Sequence, residues 1–438
     1  MRFNRSTGLT PSEKLLAELC DTSFLRLWSY PNLYKKPGKE LCDLLVVFGN
    51  DVILFSDKSC AFPRTGNLTL DWARWYRRSI SDSAHQLSQA ERWLRTCSDR
   101  IFLDAACAKK LPIDLPSPAA LRTHHICIAL GSNERAEEET GKNTLTISTC
   151  KKEHRFQIGK IHETDKWVHV LDETNLSILL REMSTTSDFL EYLKAKEYLF
   201  NSGNFSSAES ELDLMAYFLW HGRKFPIPTE KFKLDPNLWQ QVDTNIQFAA
   251  GRERNRTSYF WDKLIEYFTD QYLNETLETG NSIPVHKYER ALRAMASENR
   301  FHRRILTNAI LERADRAKDG YVGSILPSSQ PETHYVLLIG PGDTKDHVSY
   351  RKARTEQLYA RCIASKAAQP DTRLIVGLGL DARGVKGSSE DLIVMDTRAW
   401  TTEQISQAEK LRQNLGYFVD GKMQRTQMIE DEYPIRSL

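Results

Sequence analysis

The clearest hydrophobic pattern near the start of the chain is a pair of apolar runs at residues 44–48 and 52–55, separated by a polar turn that begins at Gly49-Asn50. Both runs have the length and the β-branched and aromatic content of strands, and Gly and Asn tolerate the positive φ of a tight turn. The pattern therefore predicts a β-hairpin. Because both faces of each run are apolar, we expect both faces to be covered, as in an α/β sheet.

Helical periodicity flanks this hairpin. Thr10, Pro11 and Glu13 carry the signals of a helix start, and apolar residues follow at helical spacing. A second helix is predicted at about 71–95, whereas the stretch 30–40, with its prolines and glycine, is predicted to be a loop. Further strands are expected at 125–130, 144–148, 156–161 and 167–171. Residues 131–143 are expected to form an exposed hairpin loop, and 176–200 two helices.

The pattern changes twice beyond residue 200. Helical periodicity dominates about 205–320, and strand and helix patterns alternate after 323. A chain of 438 residues suggests two or three domains. We predict an α/β domain at 1–200, a mainly helical region at 201–322 and a small C-terminal α/β domain at 323–438.

Composition restricts the class of protein. The chain is 40% hydrophobic and 27% charged, which are globular values. No apolar stretch approaches the roughly 18–20 residues of a membrane helix, and the N-terminus lacks the apolar core of a secretory signal. We therefore expect a cytoplasmic protein without a membrane partner. Its eight cysteines form no CxxC pair, which fits a reducing compartment.

Charge adds a weaker signal. The net charge is +2, but the first 110 residues hold 17 Lys and Arg against 12 Asp and Glu. This balance permits an anionic partner for the N-terminal part of the chain.

Polar residues occupy the ends of the predicted hairpin strands. Asp43 opens the first run, and Ser56 and Lys58 close the second. In an antiparallel hairpin the start of one strand lies beside the end of the other, so these three side chains should share one edge of the sheet. Since neighbouring strand residues alternate between faces, Asp57 is expected to point away.

This order resembles the PD-(D/E)xK nuclease superfamily, which includes restriction endonucleases and RecB-like nucleases. The resemblance covers about residues 10–100. It implies a restriction-endonuclease-like mixed sheet flanked by helices, and hydrolysis of phosphodiester bonds in nucleic acid, with DNA favoured. It also implies Mg²⁺, with Mn²⁺ as an alternative, because a hard cation polarises phosphate and activates water. Asp43 would be the central metal ligand and Lys58 the catalytic lysine.

Ser56 departs from the family, which usually has a carboxylate at this position. A second acid would have to compensate, and Glu40 and Glu13 are the candidates, with Glu18 as the alternative to Glu13. The predicted catalytic residues are thus Asp43, Lys58, Ser56 and Glu40. The predicted metal ligands are Asp43, Glu13 and Glu40.

The helix after the hairpin carries a second resemblance. Its segment QAERW, 89–93, is similar to the Q-A-x-x-Y element of RecB-like nucleases, with Trp93 in place of tyrosine. The resemblance implies that Gln89 faces the site or the nucleic-acid backbone. In WARWYRR, 72–78, aromatic residues alternate with Arg74, Arg77 and Arg78, and such a surface can hold phosphates.

Other readings of the sequence stay open. The main alternative is a non-catalytic module with a degenerate nuclease fold that binds nucleic acid or protein. A third is an enzyme centred on the C-terminal domain, in which loops 340–343 and 386–391 would converge on a pocket. By family analogy alone, the nuclease would act in prokaryotic genome or phage defence, with the C-terminal half regulating it or recognising a partner protein.

Three further polar residues can be explained without a functional site. His124 and His125 lack metal-ligand spacing, so we expect a structural role for both. Asp172 belongs either to a second acidic cluster or to the cap of the following helix.

Overall fold

Three β-sheets carry the fold. The computed structural model describes residues 6–149, 154–161, 166–274, 276, 285–342, 345–386, 389–422, 424, 426–428 and 430–435. It is a mixed α/β protein in which helices flank mixed sheets. The chain divides into two compact units, here called the N-terminal unit (3–252 with 432–438) and the C-terminal unit (1–2 with 253–431). The predicted boundaries at 200/201 and 322/323 fall inside these units.

The N-terminal unit contains most of the predicted elements together with several short additional ones. In chain order its elements are α1 (Pro11–Phe24), β1 (Ser29–Lys36), β2 (Lys39–Phe48), β3 (Asp51–Ser59), α2 (Leu68–Tyr76), a π-helical turn (Arg77–Ser81), α3 (Asp82–Thr96), β4 (Arg122–Leu130), α4 (Asn133–Thr140), β5 (Thr146–Ser148), β6 (Gln157–Ile158), β7 (Val168–Leu171), α5 (Glu173–Glu182), α6 (Thr186–Asn201), β8 (Phe205–Ala208), α7 (Glu211–Trp220), β9 (Phe232–Lys233), α8 (Leu238–Asp243) and α9 (Ile246–Asn255), which crosses the boundary.

The main sheet has the strand order β1-β2-β3-β4-β7. Strands β1 to β3 are antiparallel, whereas β3, β4 and β7 are parallel. The predicted hairpin is observed, since Phe48 pairs with Asp51 across a two-residue turn in which Gly49 has a φ of 61°. Residues 41–48 and 51–57 are buried throughout, so both faces of the hairpin are covered as expected.

Helices α1 and α3 hold the hairpin. Thr10 caps α1 in a capping box with Glu13, as its sequence predicted. The predicted helix at 71–95 is a helical segment from Leu68 to Thr96, interrupted by the π-helical turn. The Ser79 carbonyl in this turn accepts hydrogen bonds from the Ser83 hydroxyl at 2.8 Å and the Cys127 thiol at 3.1 Å. The turn is therefore anchored to β4 of the sheet.

Two predicted loops are regular elements instead. The stretch 30–40 forms β1 and the start of β2, with Pro31 opposite Leu44. A proline without an N–H is tolerated here because β1 is the first strand in the sheet order. Residues 131–143 contain helix α4, which ends at Gly141 in the left-handed conformation. Arg64 and Arg135 form ion pairs with Glu138, which offset part of the repulsion among the acids of this helix.

The C-terminal unit has its own four-stranded sheet. Its elements are a 3₁₀ turn (Arg256–Ser258), α10 (Tyr259–Leu273), α11 (Val285–Ala296), α12 (Arg300–Arg316), a second 3₁₀ turn (Ala317–Asp319), β10 (Val322–Pro327), β11 (Thr333–Gly340), α13 (His347–Ala368), β12 (Leu374–Asp381), β13 (Asp391–Asp396) and α14 (Thr402–Leu415). The strand order is β10-β11-β12-β13, and α13 connects the parallel pair β11 and β12. The small α/β pattern predicted after residue 323 is thus present, with β10 as an additional strand.

A buried ionic network lies where β12 ends and β13 begins in this four-stranded sheet. The guanidinium of Arg354 is fully buried and pairs with both Asp381 and Asp391. Tyr350 donates a hydrogen bond to Asp381 at 2.6 Å, and the Ser389 N–H donates to the same carboxylate at 2.8 Å. Because these groups satisfy one another, the network stabilises the strand ends and loops rather than presenting a free acid or base.

No described helix combines the length and the apolar character that crossing a membrane requires.

Candidate active site

The hairpin of β2 and β3 gathers the predicted residues at one end of the main sheet. The pairing of Leu44 with Phe55 continues so that Asp43 lies opposite Ser56. The backbone N–H of Asp57 donates a hydrogen bond to Asp43 Oδ2 at 2.6 Å. Asp43, Ser56 and Lys58 are therefore neighbours, because a two-residue turn leaves the register of the hairpin no freedom.

Asp43 is a buried acid with partial compensation. The residue is only 6% exposed to solvent. Burial raises the pKa of Asp43, while the Asp57 N–H, the Lys58 ammonium and the Ser56 hydroxyl act in the opposite direction. The pKa of Asp43 is raised overall, so ionising Asp43 costs more free energy in the folded protein than in water.

Asp57 is the second buried acid at this end of the sheet. The residue is 8% exposed, and its carboxylate interacts electrostatically with Asp43 and Glu13. Burial raises the pKa of Asp57, and the nearby Ser12 hydroxyl only partly offsets this. Within the described residues, neither carboxylate oxygen accepts a hydrogen bond of ordinary geometry.

Lys58 supplies the positive charge of the site. It is half-buried, and its ammonium lowers the pKa of Asp43, Asp57 and Glu40. It forms no ion pair with any carboxylate in the part of the chain that the structure describes. Lys58 thus interacts electrostatically with these three carboxylates, and its ammonium remains available to bind a ligand.

Glu40 and Glu13 differ in their readiness to bind a ligand. Burial, followed by repulsion from Asp43 and Glu13, raises the pKa of Glu40. Glu13 is already engaged: its Oε2 accepts hydrogen bonds from the Leu9 N–H at 2.8 Å and from Asn32 Nδ2 at 2.9 Å. These hydrogen bonds outweigh burial and lower the pKa of Glu13. The alternative acid, Glu18, is exposed on α1.

Ser56 has a second neighbour that the sequence did not indicate. Its hydroxyl donates to Gln86 Oε1 at 3.3 Å, and Gln86 lies on α3. Gln89, the predicted glutamine, is exposed, and its amide is 2.7 Å from His85 Nε2. The helix therefore presents a glutamine to the site, but one turn earlier than the QAERW resemblance implies.

The predicted phosphate-binding arginines lie on the surface. Arg74 belongs to α2, and Arg77 and Arg78 to the π-helical turn, and all three side chains are exposed. The aromatic residues between them are partly or fully buried, with Trp75 fully so. The aromatic rings of this segment therefore mainly anchor the helix.

The opposite end of β3 carries a separate ionic network. Asp51 accepts a hydrogen bond from Arg122 at 2.6 Å, lies 2.9 Å from His124 Nε2 and pairs with Lys194 at 3.0 Å. Burial works against ionisation, but His124 and Arg122 hold the pKa of Asp51 well below its ordinary value. His125 lies 3.0 Å from Glu91. Both histidines thus sit in ion-pair networks at the end of the sheet remote from Asp43.

Asp172 serves as a helix cap. Its side chain accepts hydrogen bonds from the Thr174 and Asn175 N–H groups at the start of α5. Of the two readings that the sequence left open, the structure shows the cap.

A metal site built by the protein alone is not present in the described residues, since no three His, Cys, Asp or Glu side chains are grouped closely enough to hold an ion. Two carboxylates are nonetheless sufficient for Mg²⁺, which commonly takes one or two protein carboxylates and completes its shell with water and substrate phosphate. Asp43 and Asp57 match this smaller requirement.

Comparison of the chain with protein-family models, curated proteins and solved structures found no match. The geometry of the site is therefore the basis for its functional interpretation.

Proposed function

We propose that the N-terminal unit is a metal-dependent nuclease that hydrolyses phosphodiester bonds, with DNA as the favoured substrate, on a restriction-endonuclease-like sheet. The main support is a single cluster of side chains. Asp43 and Asp57 are both buried and are joined by the hydrogen bond from the Asp57 N–H to Asp43 Oδ2, and Lys58 beside them forms no ion pair in the part of the chain that the structure describes. Buried acids are usually paired or bound to a metal, so this cluster is suited to a cation.

Asp43 and Asp57 would hold the divalent cation, and Glu40 is the nearest further acid in the sequence. The oxygens of Asp57, which accept no hydrogen bond of ordinary geometry from the described residues, are hard oxygen ligands of the kind that Mg²⁺ or Mn²⁺ prefers. When bound, the cation supplies Lewis-acid polarisation of the phosphate and of the attacking water. The carboxylate that Ser56 fails to provide is then supplied by the next residue in the chain.

The remaining side chains orient the reactants. Lys58 is placed to donate a hydrogen bond to a phosphate oxygen and to stabilise the negative charge that develops during attack. The Ser56 hydroxyl is held between Asp43 and Gln86, so it can orient a water without bearing a charge itself. The backbone N–H of Asp57 fixes one oxygen of Asp43 and leaves the other free of that constraint.

A cleavage assay on DNA and RNA with Mg²⁺ or Mn²⁺ tests the proposal. We expect Asp43→Ala and Lys58→Ala each to abolish cleavage while the far-UV circular dichroism stays unchanged. Glu18→Ala is the matched control, because it removes an exposed acid from α1 and should leave cleavage intact. Undiminished cleavage by both Asp43→Ala and Lys58→Ala would refute the proposal.

A second candidate function is a non-catalytic module that binds nucleic acid or protein. The engagement of Glu13 in the α1 cap favours it, because that acid is then less free to act as a ligand. Nucleic-acid binding without cleavage under any divalent cation would support this candidate.

A further inference from the structure

Two exposed cations near the candidate site lack acidic partners. Lys36 ends β1, and Arg100 lies shortly after α3. Among the described residues, no carboxylate forms an ion pair with either side chain. Many other basic residues of the N-terminal unit are neutralised, as Arg122 and Lys194 are by Asp51.

Both cations lie over the same aromatic ring. Lys36 Nζ is 5.4 Å and Arg100 Cζ is 5.9 Å from the centroid of the Trp93 indole. The indole N–H donates a hydrogen bond to the Arg100 carbonyl at 3.0 Å, which fixes the ring against that segment. A tryptophan face attracts cations, by about 0.5–1 kcal/mol at exposed sites. Trp93 therefore holds together two like charges that would otherwise repel each other.

We call Lys36, Trp93 and Arg100 the cation clamp. Its position relative to the site follows from the strand pairing. Lys36 pairs with Lys39, and Asp43 follows on the same strand, β2. The four steps from Lys39 to Asp43 span about 13 Å, since a strand rises about 3.3 Å per residue. This is about the length of four nucleotides of a strand at 3.4 Å each.

The surroundings of the clamp are also basic. Lys35 precedes Lys36 on β1, and Lys39 is exposed at the start of β2. A row of cations at the edge that leads to Asp43 and Lys58 is complementary to a chain of regularly spaced anions, as in a phosphodiester backbone.

We propose that the cation clamp binds the phosphodiester backbone of nucleic acid, about four nucleotides from the bond at the Asp43 site. Lys36 and Arg100 contact phosphates, and Trp93 is a positioning residue that acts through them. The location of the cut relative to the clamp rests on the proposed nuclease function, whereas binding itself does not require cleavage.

Fluorescence anisotropy in EDTA tests the clamp separately from catalysis. The full chain is titrated with a short labelled single-stranded DNA, the matching duplex and the matching RNA, each over a series of salt concentrations. Every phosphate contact that is lost should reduce the slope of log K against log [salt] by about 0.9 for duplex and about 0.7 for single strands. We expect this reduction for Lys36→Ala and for Arg100→Ala.

Trp93 variants distinguish positioning from simple charge. Trp93→Leu keeps both cations and should weaken binding, whereas Trp93→Phe retains an aromatic face and should weaken it less. Arg256→Ala is the charge-matched control, because it removes an exposed arginine of the C-terminal unit that pairs with Glu253, and it should change nothing.

Two outcomes would overturn the clamp. They are an unchanged salt slope in both Lys36→Ala and Arg100→Ala, and unchanged affinity in Trp93→Leu. A chain that binds through the clamp but cleaves nothing with Mg²⁺ or Mn²⁺ would overturn the nuclease proposal and leave the clamp standing. Comparison of the three probes shows whether the backbone is that of DNA or RNA, single or double stranded.

Discussion

Replacing Asp57 by alanine should make the fold more stable and abolish the proposed cleavage. Neither oxygen of this buried carboxylate accepts a hydrogen bond of ordinary geometry among the described residues, and burial and Asp43 raise its pKa more than the nearby Ser12 hydroxyl lowers it. The backbone N–H of Asp57, which donates to Asp43, is untouched by the substitution. Alanine therefore removes an unfavourable charge without removing the contact that joins the two strands.

The expected gain follows from the cost of a buried polar group without a partner, about 1–3 kcal/mol. For a unit of this size, each kcal/mol corresponds to about 2–4 °C in Tm, so the Tm should rise by about 2–12 °C without divalent cations. Asp71→Ala is the matched control. Asp71 is equally buried, but it accepts hydrogen bonds from the Thr65 N–H at 2.9 Å and hydroxyl at 2.7 Å, so its loss should lower the Tm.

The difference in stability between Asp57→Ala and the parent chain should depend on pH in a defined direction. Because the folded-state pKa of Asp57 is raised, its ionisation disfavours the folded state. The stability gap between Asp57→Ala and the parent chain should thus be smallest below the unfolded pKa of about 3.9, where Asp57 is protonated in both the folded and the unfolded state. It should widen as the pH rises and level off above the folded-state pKa.

Mg²⁺ provides the complementary measurement. A ligand that binds only the folded state at 100 times its Kd stabilises it by about 2.7 kcal/mol. The parent chain should gain stability from Mg²⁺ in thermal unfolding, and Asp57→Ala should gain much less. If Asp57→Ala is instead less stable than the parent chain by the same amount at every pH, Asp57 is a structural residue and the reasoning fails.

Two further predictions concern other acids and their partners. Glu13→Gln keeps an oxygen for the α1 capping box, so this variant should still cleave. Glu13→Ala loses that oxygen and should lower the free energy of unfolding by about 1 kcal/mol. Loss of cleavage in Glu13→Gln would instead make the charge of Glu13 part of the site. Arg354→Met leaves buried Asp381 without its arginine partner and Asp391 with Arg351 alone, and should destabilise the C-terminal unit by about 3–5 kcal/mol in urea unfolding. Arg398→Met, which removes an exposed arginine of the same unit, should leave the unfolding midpoint unchanged.

Local signals predicted the hairpin and the first helix well. The Gly49-Asn50 turn and the apolar runs beside it specify both the strands and their register. Thr10 and Glu13 specify the cap of α1, and their effect extends over only a few residues. Because the register follows from the turn, the proximity of Asp43 and Ser56 was also predictable.

Non-local contacts decided the parts that the sequence pattern misjudged. Pro31 signals a loop by itself, but it is acceptable in β1 because that strand pairs with β2 on one side at this point. The acidic stretch 131–143 contains helix α4, in which Glu134 pairs with Arg64, some seventy residues earlier in the chain. The pattern of a single segment contains no information about such partners.

The sequence by itself determined the mixed α/β class, the hairpin and the identity of the two polar strand ends. Only the tertiary structure showed that the Asp57 N–H donates a hydrogen bond to Asp43, that Gln86 rather than Gln89 contacts Ser56, and that Lys36 and Arg100 lie over the ring of Trp93. The reason is physical. Periodicity assigns a side chain to a face within a regular element, whereas sites form where elements end and side chains from different segments share one space.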